Sequence, residues 1–194
     1  MSSVAVSNLV KRFGAFTALD DVSFAVGSGE VAAVLGPNGA GKTTTIEILE
    51  GYLAPTSGTA RVLGVDPRRG DRAWRSRIGL VLQSTSLDDL ASVREILVEF
   101  ARLYPRPMDV DEVLELVELN DEADQRIGTL SGGQRRRVDM AVGIIGRPEV
   151  LFLDEPTTGL DPEARRRAWA GVERLTDQGT TVLLTTHYLE EADQ

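Results

Sequence analysis

The sequence of 194 residues contains no cysteine, a single histidine and only two lysines, Lys11 and Lys42. Without cysteine there are no disulfides and no thiolate metal sites, which fits a reducing compartment. One histidine rules out a metal site built from several imidazoles. Long apolar runs are also missing. The longest lie at residues 31–35, 140–145, 150–153 and 182–184, all far short of the roughly 18 residues that span a bilayer. Residues 1–20 lack a continuous apolar core, and Lys11 and Arg12 interrupt the place where one would lie, so no signal peptide is expected. Positive charge is scarce: 21 Lys and Arg against 30 Asp and Glu leave a net charge of -9, which argues against a nucleic acid held on a broad basic surface. Phosphate, if bound, has to be held by local backbone geometry and a few cations. Repeats, low-complexity tracts and linkers are absent too.

What remains is a composition that can bury one sizeable core, with 42% hydrophobic residues. Two kinds of segment alternate along it. Short apolar runs at 31–35, 78–82, 150–153 and 181–184 read as strands apolar on both faces, as in the middle of a parallel sheet. Helical patterns occupy 42–51, 93–104, 110–118, 133–145 and 162–177. The alternation predicts an α/β fold with a mostly parallel core sheet. Residues 4–26 alternate more like antiparallel strands, which predicts a small β layer ahead of the core. From 84 to about 146 the pattern is purely helical and predicts an inserted helical subdomain, its first helix opened by a capping box at Ser92 and Glu95.

Gly36, Pro37, Asn38, Gly39, Ala40, Gly41, Lys42 and Thr43 match G-x-x-x-x-G-K-[ST] between a buried strand and a helix. Glycines let successive N–H groups turn inward around phosphate oxygens, where side chains would obstruct. Lys42 then reaches the β- and γ-phosphates, the Thr43 hydroxyl can ligate Mg²⁺, Thr44 continues the loop into the helix, and the helix N-terminus adds attraction. This predicts a P-loop nucleotide site. The run at 150–153 ends in Asp154 and Glu155, at the carboxyl end of a parallel strand where ligands bind. Beside a P-loop, Asp154 suits Mg²⁺, held through water, and Glu155 suits orienting or deprotonating an attacking water. A strand followed by an acidic turn, stopped by Pro156, would look the same.

Leu130, Ser131, Gly132, Gly133 and Gln134 admit two readings that can hold together. Ser131 and Gln134 have capping-box spacing, and a helix start preceded by small residues is also an anion site. With those residues the chain resembles the nucleotide-binding domain of ABC transporters, in which L-S-G-G-Q is the signature. The resemblance covers essentially the whole chain, with the motifs in order. It implies ATP and Mg²⁺ as cofactors and a head-to-tail pair of domains in which Ser131, Gly133 and Gln134 close over the partner's ATP. It implies further that Gln83 contacts Mg²⁺ or water, that Gly159, Leu160 and Asp161 cross the dimer interface, and that His187 contacts the γ-phosphate. Asp161 before Pro162 is equally a good helix cap. At the position where the family carries an aromatic, commonly Tyr, this chain has Phe13, which is either a stacking platform for adenine or a core aromatic beside Gly14. Arg135, Arg136 and Arg137 read as a solvated face or as contacts to acidic neighbours.

The resemblance implies an ATP-hydrolysing subunit that drives a separate membrane permease. That places it in the cytoplasm, peripheral on the inner face of the membrane. Lys42 to Ile46, and Gly159 to Pro162, resemble the multidrug or polyketide-antibiotic export branch. The family core usually continues past the position of His187, and the chain stops at Gln194 inside a helical pattern, so a fragment of a longer protein is expected. Two other functions stand beside this one: a non-transport ABC ATPase, and a regulatory module that binds ATP without turnover. A GTPase is disfavoured, since neither lysine lies in N-K-x-D.

Overall fold

A computed structural model describes residues 2–81, 86–157 and 160–187. Gln83, Gly159 and the expected helix at 188–194 lie outside the described residues, as does Leu82 at the end of an expected strand.

β1 (Ser2–Phe13) and β2 (Phe16–Gly27) form an antiparallel hairpin across Gly14 and Ala15, and β4 (Ser57–Val62) adds to the other edge of β1. Gly14 sits at φ 59, in the left-handed region that such a two-residue turn demands. The second sheet is parallel, in the order β3–β7–β6–β5, built from β3 (Val31–Leu35), β5 (Ile78–Val81), β6 (Val150–Asp154) and β7 (Thr181–Thr186). The small antiparallel layer at the N-terminus and the parallel core therefore both form. The alternation of residues 4–26 corresponds to β1 and β2, whereas β4 has no comparable pattern. Its only buried apolar side chains are Ala60 and Val62, and its Gly58, at φ 85, looks like a turn.

The side chains of β6 are buried throughout because both sheet faces are covered. Val150 and Phe152 pack with β1, β4 and α1 (Lys42–Leu49), whereas Leu151 and Leu153 face the helical side. β7 splits likewise, Leu183 to the first core and Val182 and Leu184 to the second. Among the described residues β3 pairs with β7, and Val31 and Leu35 are 43% and 42% exposed.

α2 (Arg72–Arg75) precedes β5, and between β5 and β6 lie α3 (Val93–Ala101), α4 (Val110–Leu116) and α5 (Gly132–Ile144). The capping box forms at α3: Glu95 N–H donates to Ser92 Oγ and Ser92 N–H donates to Glu95 Oε2. α6 (Pro162–Asp177) covers the helical side of the sheet through Trp169, Val172 and Leu175. None of the described helices is long and apolar enough to cross a membrane.

Candidate functional site

β3 ends at Leu35, and residues 36–41 turn into α1. The turn depends on glycine. Gly39 and Gly41 have φ of 82 and 86, and a Cβ on Gly41 would stand 2.5 Å from the Ala18 carbonyl oxygen. Gly36 N–H donates to the Thr186 carbonyl at 3.3 Å, anchoring the loop to the end of β7. Lys42 is only 6% exposed and lies along this loop. Its ammonium donates to the carbonyls of Gly36 (2.8 Å) and Pro37 (3.2 Å), and Glu155 Oε1 lies 3.4 Å away.

Two neighbouring strands bring the acidic groups to the loop. Asp154 closes β6 and is buried; Thr185 Oγ1 donates to its Oδ1 at 2.6 Å and Thr43 Oγ1 to its Oδ2 at 3.2 Å. Glu155 follows with φ 46, a left-handed conformation rarely taken by a residue with a side chain, and its N–H donates to Thr185 Oγ1 at 2.9 Å. The bend sends the carboxylate towards Lys42 and to 3.8 Å from His187 Nδ1, just beyond β7. Glu50, at the end of α1, adds a carboxyl that sequence reasoning missed. Burial, and then the charges of Glu47 and Asp154, push its pKa up to about 7.

Lys42, Thr43, Asp154 and Glu155 border an open cleft of about 430 Å³. Asn38, Gly39, Gly41, Lys42, Thr43 and Thr44 form its floor, with Asp154 and Glu155 on one side and Phe13, Phe16 and Ala18 on another. Phe13 is not a core aromatic: it is 48% exposed, with the Lys11 ammonium 4.8 Å over its ring. Phe16 was missed, although the two-residue turn sets it directly across from Phe13 and both rings line the cleft. A hydroxyl beside a buried carboxylate is a hard oxygen pair of the kind Mg²⁺ prefers. Among the described residues no group of three acidic or imidazole side chains could hold a metal alone. The donor set therefore fits an ion that takes its remaining oxygens from phosphates and water.

Leu130 to Gln134 lie elsewhere. Leu130 packs against the helical-side core, and Ser131 caps α5. Gln134 N–H donates to Ser131 Oγ at 3.2 Å, Ser131 N–H to Gln134 Oε1 at 2.8 Å, and Gln134 Nε2 to Glu122 Oε1 at 2.7 Å. Ser131, Gly132, Gly133 and Gln134 line a second cleft, of about 460 Å³, with Asp161 on its wall. Asp161 caps α6, accepting from the N–H groups of Glu163 and Ala164, and these bonds hold its carboxyl below the usual range. Among the described residues, none lines both clefts. The basic run behaves unevenly. Arg135 pairs with Asp89, an acidic neighbour, but Arg136 turns inward to the carbonyls at and just past the end of β6.

Residues 19–158 match the family described as ABC transporter. This chain belongs to the ABC transporter family. Among its relatives, the daunorubicin resistance ATP-binding protein DrrA2 of Streptomyces coeruleorubidus is 46% identical over 197 residues, covering 99% of this chain and 61% of that protein. The Nod factor export ATP-binding protein I of Paraburkholderia xenovorans is 43% identical over 199 residues, covering 100% of this chain and 65% of that protein. The chain thus spans less than two thirds of the length of these relatives. A solved ATP-binding subunit of an ABC transporter superposes with a TM-score of 0.86 at 27% identity, over 99% of this chain and 82% of its own. A nucleotide-free cassette from another ABC transporter gives 0.85 at 27% identity, over 98% and 83%. The α/β architecture with its antiparallel layer is the ABC cassette fold.

Proposed function

We propose that this chain is the ATP-hydrolysing part of an ABC exporter, working as a head-to-tail dimer beneath a separate membrane permease. The observation that carries the reading is the convergence of Lys42, Glu155, His187 and the Thr43–Asp154 pair on one glycine loop, with Ser131 and Gln134 in a different cleft. A site whose signature lies outside its own nucleotide cleft calls for a second copy to complete it.

ATP enters with its phosphates on the N–H groups of residues 38–44, and Lys42 leaves the carbonyls of Gly36 and Pro37 for the β- and γ-phosphates. The base stacks on Phe13. Thr43 and Asp154, with Gln83, would hold Mg²⁺, which neutralises phosphate charge when bound. Glu155 orients a water and takes its proton as the water oxygen attacks the γ-phosphorus and the bond to ADP breaks. His187 steadies the γ-phosphate, and Asp161 meets the partner copy. Closure and reopening pull on the permease. Relatives named for daunorubicin resistance and for Nod factor export support export of a drug-like or other substrate, with the chain held at the cytoplasmic face of the membrane.

The test is Glu155→Gln in the intact protein. MgATP binding stays, turnover falls at least about a hundredfold, and an ATP-dependent dimer accumulates. Turnover equal to wild type would remove Glu155 from this role.

A further inference from the structure

We propose that Arg136 is a positioning residue for Glu155: through its guanidinium, the helix that starts at Ser131 holds the backbone on which the hydrolytic carboxylate stands, and so ties the signature cleft of one copy to that copy's own nucleotide cleft. The inference rests on the role given above to Glu155.

Arg136 lies two residues past Gln134 in α5. Its side chain is 11% exposed and spreads over three successive carbonyls: Nη2 donates to Asp154 at 3.0 Å and Glu155 at 3.3 Å, and Nε donates to Pro156 at 3.0 Å. β6 ends at Asp154, and Glu155 turns to φ 46. A buried carbonyl without a donor is costly, and a left-handed Glu persists only where its surroundings fix it. Two side chains flank this residue: Thr185 takes its N–H and Arg136 its carbonyl. Both belong to other elements, so Glu155 is placed by β7 on one side and by α5 on the other.

Asp139, one turn along α5, lies 3.8 Å from Arg136 Nη1 and helps to aim it. Burial lowers the guanidinium's pKa, opposed by Asp139 and Asp154; it stays a cation. The neighbouring residue Arg137 lines the signature cleft with Ser131 and Gln134. α5 therefore touches one cleft with its first turn and its Arg137, and holds the other's carboxylate with Arg136. A helix moves as a rigid element, so a shift that follows closure of the signature cleft reaches all three carbonyls together.

The experiment compares Arg136→Met, Arg136→Lys and Arg136→Gln in the intact protein, with Glu155→Gln alongside. Methionine keeps the apolar stem and removes every donor. The expected result is a kcat lower by about tenfold or more, a KM for ATP within about threefold, and lost cooperativity between ATP sites, with Lys recovering part of kcat. A purely structural role would lower melting temperature without this split. A folded Met variant with wild-type kcat and Hill coefficient overturns the proposal, as does a raised KM at unchanged kcat. If the Met variant does not accumulate, the Gln and Lys variants decide on the same readouts. Full turnover in Glu155→Gln instead defeats the reading of Glu155 itself; an inactive Glu155→Gln beside a fully active Arg136→Met defeats only the role of Arg136.

Discussion

Thr185 fixes Asp154 from the neighbouring strand: its hydroxyl donates to Asp154 Oδ1 at 2.6 Å while its oxygen accepts the N–H of Glu155 at 2.9 Å. β6 and β7 run parallel with Asp154 opposite Thr185, so sheet register alone brings the three groups together. Thr185→Val keeps the shape and strands both partners. The expected loss is about 1–3 kcal/mol of stability in denaturant unfolding, with reduced ATP turnover. Thr185→Ser should stay close to wild type on both measurements. Equal stability of the Val and Ser variants would show that the hydroxyl carries nothing.

Gly39 and Gly41 share a positive φ but differ in what surrounds them. A Cβ at Gly39 meets nothing within 4 Å, whereas one at Gly41 meets the Ala18 carbonyl at 2.5 Å and Leu19 Cδ2 at 2.6 Å. Gly39→Ala should cost about 1 kcal/mol, the ordinary expense of a left-handed alanine. Gly41→Ala should cost more than about 2 kcal/mol and abolish nucleotide binding, since the loop cannot close beside the hairpin. Unfolding curves and ATP titrations on the two variants check the contrast.

Lys11 covers one face of the Phe13 ring with an ammonium that donates to the Ala54 carbonyl at 2.7 Å, while the residue stays 48% exposed. Phe13→Ala should weaken ATP binding by about 1–3 kcal/mol, the range for base–aromatic stacking, and Phe13→Tyr should restore it. Phe16→Ala should weaken it by a smaller factor, through loss of the cross-strand neighbour that shares the cleft. Calorimetric titration separates the two. Unchanged affinity in Phe13→Ala would remove the ring from the nucleotide site.

Local chemistry was readable from the sequence wherever neighbours in the chain decide it. The strand–loop–helix at residues 31–49, the capping boxes at Ser92 and Ser131, and Asp161 with Pro162 at the start of α6 all follow from spacing. What spacing could not give was contact between distant elements. Thr185 meets Asp154 through strand register, and Arg136 meets the carbonyls at and just past the end of β6 because α5 packs beside them. Phe16 was within reach, since a two-residue hairpin turn fixes its partner.

Glu50 gives a pH dependence whose sign follows from its environment. Its pKa is raised from 4.5 to about 7 by burial, Glu47 and Asp154, and its Oε1 has no hydrogen-bond partner among the described residues. The folded protein therefore binds the proton more tightly than the unfolded chain. This group imposes no penalty below about pH 4.5; the penalty grows as pH rises towards 7 and is complete above it. Glu50→Gln removes the charge that burial opposes. Because the side chain is only partly buried, the gain at pH 8 should be on the order of 1 kcal/mol, well short of what the full shift would carry in a dry interior. At pH 4.5 the variant and wild type should differ little. Unfolding measured at both pH values decides it: a stabilisation of equal size at the two would mean that packing, and not the proton, explains the effect.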